Sequence, residues 1–174
     1  MARPLVSLVA ALCVTALLTA CAEAETMGSE DAASVQRVAD GDSIVLEGGA
    51  RVRLLQIDAP ELGEGECYGK DALEELERML QPKGAIVLES DPRLDRIDRF
   101  QRLLRYVRVD DTNVNVELVR RGAATPYFRG DVRGRYAGAL LEAADEARDE
   151  RRGMWGSCRV SWSSNRQVET RPDR

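Results

Sequence analysis

Between residues 34 and 57 short aliphatic and β-branched runs alternate with turn formers. Val35 and Val38, then Ile44-Val45-Leu46, then Val52 through Ile57, are separated by Asp40-Gly41-Asp42 and by Gly48-Gly49. This pattern predicts three strands in a meander. Pro60 ends the third, because proline has no N–H to give to a ladder and holds the residue before it extended. Over 68–81 the period lengthens: Leu73, Leu76 and Leu80 share one face, with Glu74, Glu75, Glu77 and Arg78 opposite, and Pro82 closes a predicted helix. Residues 84–89, with Ile86-Val87-Leu88, return to strand.

The stretch 93–108 carries two signals. Arginine recurs every third residue while Leu94, Ile97, Phe100, Leu103 and Val107 fall three or four apart, which is helical spacing. From Arg102 onward the strand formers Tyr106, Val107 and Val109 outweigh that spacing and predict a strand running into a turn at 110–113. Residues 114–121 predict a short helix with Gly122 as its cap. An aromatic loop follows at Pro126-Tyr127-Phe128. The last helix spans about 135–152, buries Tyr136, Leu140, Ala143, Ala144 and Ala147, and stops at Gly153.

The two ends lack such periods. An uncharged run over 5–20 after Arg3 is too short for a bilayer span of ~20 residues and suits a signal-peptide core. Leu18-Thr19-Ala20-Cys21 has the form of a lipobox, with Cys21 as the lipid-modified residue; an ordinary cut after Ala22-Glu23-Ala24 is the other reading. The chain therefore divides into a leader over 1–20, a polar tether over 21–33, one domain over 34–158 and a disordered tail over 159–174. Export places the protein outside the cytoplasm, anchored to a membrane through Cys21 or secreted.

A length of 174 residues allows one core, and the mixture of meander and helices makes the class α+β. The formal charge of −5 excludes a general cationic coat, so a polyanion would need a local patch. Among 25 basic residues only Lys70 and Lys83 are lysine, and arginine is the side chain that grips phosphate through two parallel hydrogen bonds. Histidine is absent, which removes Ser-His-Asp triads, Cys-His pairs and His-based zinc sites. Beyond the leader and the tether only Cys67 and Cys158 remain, as one disulfide or two free thiols.

Candidate chemistry gathers in three clusters. Asp42 and Asp58 are hard oxygen ligands suited to Ca²⁺ or Mg²⁺, with backbone carbonyls, water and a substrate phosphate completing the shell. Glu61, three residues beyond Asp58, can orient a water or take its proton, while Arg53 and Arg102 neutralise charge gathering on phosphorus oxygens. Strand alternation alone does not put Arg53 and Asp58 on one side; a kink near Pro60 is required.

These motifs in this order resemble the staphylococcal nuclease (thermonuclease) family. The likeness runs from about residue 35 to 155 through Asp40-Gly41-Asp42-Ser43, Arg53-Leu54-Leu55, Ile57-Asp58-Ala59-Pro60-Glu61, Tyr68-Gly69, Asp98-Arg99-Phe100-Gln101-Arg102, Leu118-Val119-Arg120-Arg121-Gly122 and Gly153-Met154-Trp155. It implies a five-stranded OB-fold β-barrel with about three helices, and a Ca²⁺-dependent monomer that cleaves DNA and RNA to 3′-phosphates, single strands favoured. By position it implies Asp42, Asp58 and the backbone of Ala59 as metal ligands, Glu61 as base, Arg53 and Arg102 as phosphate arginines, and Phe100 and Tyr127 near the nucleotide. Gln101 departs from a family glycine and bears on the placement of Arg102. The alternative is an OB-fold module that binds single-stranded nucleic acid without cutting it.

Overall fold

The computed structural model describes residues 30–63, 65–80 and 85–173. The leader with Cys21, and most of the predicted tether, lie outside the described residues. Strand β1 (Glu30–Ala33) is followed by β2 (Val35–Asp40), β3 (Ser43–Leu46), β4 (Arg51–Leu54), the short β5 (Ile57–Asp58) and helix α1 (Gly69–Leu80). Then come β6 (Ile86–Glu89), β7 (Leu103–Val109), β8 (Thr112–Asn113), α2 (Val114–Arg120), β9 (Thr125–Pro126), α3 (Ala137–Asp149) and α4 (Met154–Ser157). A hairpin of β10 (Cys158–Ser163) and β11 (Arg166–Pro172) completes the described chain.

The main sheet has the order β1-β6-β7-β4-β3-β2, antiparallel except where β4 meets β7. Its two end strands are successive pieces of one segment, joined at Ser34, so the path returns on itself. That closure, with helices on the outside, is the α+β OB-type barrel the motifs imply. Ile44, Val52, Leu54, Ile57, Leu88 and Val107 fill it, and Leu76, Leu118 and Leu140 bring the helices onto the same core. No helix among the described residues is long and apolar enough to cross a membrane.

The meander, the helix at 69–80 and both later helices fall where the periodicity puts them. Three predictions differ. Residues 30–33, expected in the tether, form β1 on the edge of β6. Three of the four are exposed and their ladder bonds come from the backbone, so side-chain pattern carries no sign of them.

The helical spacing over 93–101 gives turns instead. Asp91 Oδ1 accepts from the Arg93 N–H at 3.0 Å, and Asp98 Oδ1 accepts from the N–H groups of Phe100 and Arg102 at 2.8 and 3.0 Å. Aspartates that bind nearby amides in this way compete directly with a helix ladder.

The tail, expected to be disordered past Cys158, is the β10–β11 hairpin. A disulfide between Cys67 and Cys158 ties its first residue to the loop after β5, so the thiols are paired. Val168 is buried against Met154 and Cys158 in a small second core.

Candidate active site

Three features of register assemble the site. Pairing of β3 with β4 sets Ser43 opposite Arg53, and the Leu54 N–H donates to the Asp42 carbonyl at 2.9 Å. Asp42 thus arrives beside the end of β4. The parallel match of Val52 with Leu103 brings Arg102 to the same end of the barrel. Gln56, at φ 58°, then bends the chain, and this is the kink that alternation required; it lies at Gln56 rather than near Pro60.

The bend is held from several sides. Arg53 Nη1 donates to the carbonyls of Leu54 and Ile57 at 3.0 and 2.8 Å. Gln56 Oε1 accepts from the Tyr106 hydroxyl and the Gly134 N–H, and its Nε2 donates to the Val132 carbonyl. A buried amide with its donors and acceptors engaged is a rigid point.

Beyond the bend Asp58 turns back toward Asp42. Arg53 Nη2 lies 2.8 Å from Asp42 Oδ2 and 2.8 Å from Asp58 Oδ1, so one positive group joins two carboxylates that are 4% and 2% exposed. The Ala59 N–H donates to Asp42 Oδ2 at 3.1 Å. Gly41 lets the loop approach this closely: a Cβ there would meet those of Ala59 and Ala72 at 2.7 and 2.9 Å.

Burial pushes Asp58 up to about 6 from its ordinary 3.8; Arg53 opposes the rise and Asp42 adds to it. Burial likewise raises Glu61 to about 7, aided by a hydrogen bond to Asp40 and the charges of Asp40, Asp42 and Asp58. Burial and neighbouring acids together disfavour ionising these carboxylates, and positive charge beside them relieves that cost. Asp40, next to Glu61, belongs to this acidic group although the sequence reading did not select it. Its place two residues before Asp42 in Asp-Gly-Asp was the available signal.

A cleft of about 950 Å³ has Arg53, Glu61, Arg102, Phe100 and Tyr127 in its walls, and Arg53 links it to Asp42 and Asp58, which do not line it. Every sequence-selected phosphate, water and nucleotide residue therefore faces one space, beside the acid pair. Arg102 Nε donates to Asp98 Oδ2 at 2.7 Å, and its guanidinium carbon sits 5.5 Å from the Phe100 ring centroid. Burial favours the neutral acid at Asp98, but hydrogen bonds from Arg102 and Phe100 hold it below its ordinary value. Gln101 takes the left-handed conformation, φ 61°, that glycine adopts freely. The turn persists and Arg102 remains anchored. Phe100 is 58% exposed, a large apolar surface beside arginines.

The all-oxygen set of Asp42, Asp58 and the Ala59 backbone fits a hard divalent cation, and the guanidinium nitrogen between the acids marks where positive charge is wanted. Among the described residues no three acidic, cysteine or histidine side chains are grouped as ready ligands. Backbone, solvent and substrate oxygens would complete any shell.

The strand order and the helices define an α+β protein of the OB-fold type, with acids and arginines gathered at one end. Residues 51–157 match the family described as staphylococcal nuclease homologue, and the chain belongs to that family. It is 32% identical to a micrococcal nuclease of Shigella flexneri over 138 residues, 70% of this chain and 71% of that protein. It is 31% identical to the endonuclease YncB and to the SPbeta prophage-derived endonuclease YokF of Bacillus subtilis, over 129 residues and 70% of this chain in each case. The matched region covers 60% of the first and 43% of the second.

Proposed function

We propose that the chain is a calcium-dependent endonuclease that hydrolyses phosphodiester bonds of DNA and RNA and leaves 3′-phosphates. The observation that carries this is the meeting of Asp42 and Asp58 on one positive group beside a cleft holding Glu61, Arg53 and Arg102. Membership of a family with endonucleases among its relatives supports the reaction class. The choice of calcium and of 3′-phosphate products rests on the family resemblance.

In this reading Asp42, Asp58 and the Ala59 backbone would hold the cation, which would supply positive charge against a phosphodiester's oxygens. Glu61 orients a water and takes its proton as the water oxygen bonds to phosphorus; the bond to the 5′-oxygen breaks and that oxygen takes a proton from solvent. Arg53 and Arg102 neutralise the oxygens on which charge accumulates. Phe100 and Tyr127 offer ring faces for a splayed base, which single strands present more readily than duplexes. The enzyme acts as a monomer outside the cytoplasm, held to a membrane by lipid on Cys21 or released.

The test is digestion of single-stranded DNA and of RNA in Ca²⁺ and in chelator, with Glu61→Gln and Arg53→Ala alongside. Loss of cutting in chelator and a fall of about 10²-fold or more in both variants are expected. Cutting unchanged by all three would rule out this site. Tight strand binding with no cutting in Ca²⁺ would assign the chain to the non-catalytic OB-fold binders.

A further inference from the structure

The family match stops at Ser157, one residue before β10 begins, yet the hairpin reaches into the acidic loops. The Val168 N–H donates to Asp58 Oδ2 at 2.8 Å. Two residues on, on the same side of the strand, the Thr170 N–H donates to Glu66 Oε1 at 3.3 Å. The other oxygen of that carboxylate, Glu66 Oε2, accepts the Glu61 N–H at 2.9 Å. The Thr170 hydroxyl donates to the Cys67 carbonyl at 2.6 Å, and Cys67 is bonded to Cys158 at the start of the hairpin. Gln167 hydrogen-bonds Asp58 through its side chain and lines the cleft.

One edge of β11 therefore touches both acids the reaction uses, Asp58 directly and the Glu61 backbone through Glu66. The bond to Oδ2 leaves Oδ1 of Asp58 as the oxygen turned toward Asp42, where Arg53 now meets it. A carboxylate with one oxygen fixed presents the other at a set angle. A freely rotating one must be ordered by the cation itself, at a cost in affinity.

We infer that the outer edge of β11 is a positioning element of the active site: the Val168 N–H sets the cation-facing oxygen of Asp58, and Thr170, through Glu66, sets the loop bearing Glu61. The inference rests on the proposed cation site. Val168, Thr170 and Glu66 act through Asp58 and Glu61 and do not touch substrate. The disulfide ties the first residue of the hairpin to Cys67, next to Glu66.

Three variants test it, each assayed for calcium binding by titration calorimetry without nucleic acid, for melting, and for kcat and KM separately. One replaces the 168 amide by an ester, through the α-hydroxy analogue of valine, and so removes a single donor. The second is Glu66→Gln, which weakens the Glu61 link but leaves Asp58 alone. The third ends the chain after Ser163 and retains Cys158. The ester is expected to raise the calcium Kd about tenfold, the loss of one charge-assisted hydrogen bond, with a lower but still cooperative melt. Glu66→Gln is expected to lower kcat severalfold with calcium Kd and KM unchanged. Truncation is expected to produce both effects.

A folded ester variant with wild-type calcium affinity, or Glu66→Gln with wild-type kcat, overturns the inference. If truncation prevents folding, the ester and Glu66→Gln still decide. If the unaltered protein neither binds calcium nor cuts, the proposed function itself fails and this inference with it; normal binding and cutting by all the variants sinks the positioning role alone.

Discussion

Arg53→Ala separates two roles that a single guanidinium performs. In the structure Arg53 Nη2 is the positive group between Asp42 and Asp58, while Nη1 ties down the bend at Gln56. Both acids are almost fully buried. Removing one partner of a buried ion pair costs about 3–5 kcal/mol, because the remaining charge stays desolvated without compensation. In chelator the variant should therefore unfold at markedly lower urea.

Calcium should restore much of that loss, because the cation supplies the missing positive charge to the same two carboxylates. At a concentration of ~100 Kd it adds about 2.7 kcal/mol to the folded state. Since the guanidinium no longer competes for the carboxylates, calcium affinity should match or exceed that of the unaltered protein. Activity should nonetheless fall about 10²-fold or more, as the phosphate loses its fork. Urea unfolding with and without calcium, calorimetric titration and single-strand digestion read the three quantities. A variant that loses calcium affinity together with activity, and gains no more stability from calcium than the unaltered protein, would refute the idea that Arg53 occupies the cation's place.

The raised pKa of Asp58 means that the fold favours its neutral form. Its contribution is intact below the ordinary 3.8 and is lost as pH climbs to about 6, a change of about 3 kcal/mol in the metal-free protein. Urea unfolding in chelator should show stability falling between pH 4.5 and 6.5 by an amount on that order; calcium affinity should rise over the same interval as protons leave. Gly134→Ala should destabilise by about 3 kcal/mol or more, seen as a lower melting temperature. A Cβ there collides with the Tyr106 hydroxyl and comes within 2.7 and 2.8 Å of Gln56 Oε1 and Asp91 Oδ2, breaking the contacts that hold the bend. Gln101→Gly should stabilise by roughly 1 kcal/mol by relieving the left-handed backbone, with cutting unchanged because Asp98 continues to hold Arg102. Melting and digestion check both outcomes.

The local alphabet of the chain was enough for the meander, α1, α2 and α3, because each buries one face and so prints a period of 2 or 3.6 in the residues. It also singled out Asp42, Arg53, Asp58, Glu61 and Arg102 as candidates, since few residue types can hold a hard cation or grip a phosphate. It did not show β1, whose side chains are exposed and whose ladder bonds come from the backbone. Nor did it show the turns at 93–101, where Asp91 and Asp98 capture amides that a helix would have used.

Tertiary structure decided which side of the barrel each acid faces. That choice depends on a bend at Gln56, and the bend depends on Tyr106, Val132 and Gly134, residues 50 to 78 positions away along the chain. It also brought the hairpin that starts at Cys158 against Asp58, through one amide bonded to that aspartate 110 positions earlier. Periodicity records only what a segment does with its own faces. Contacts between single polar groups far apart in sequence leave no such trace until the chain has folded.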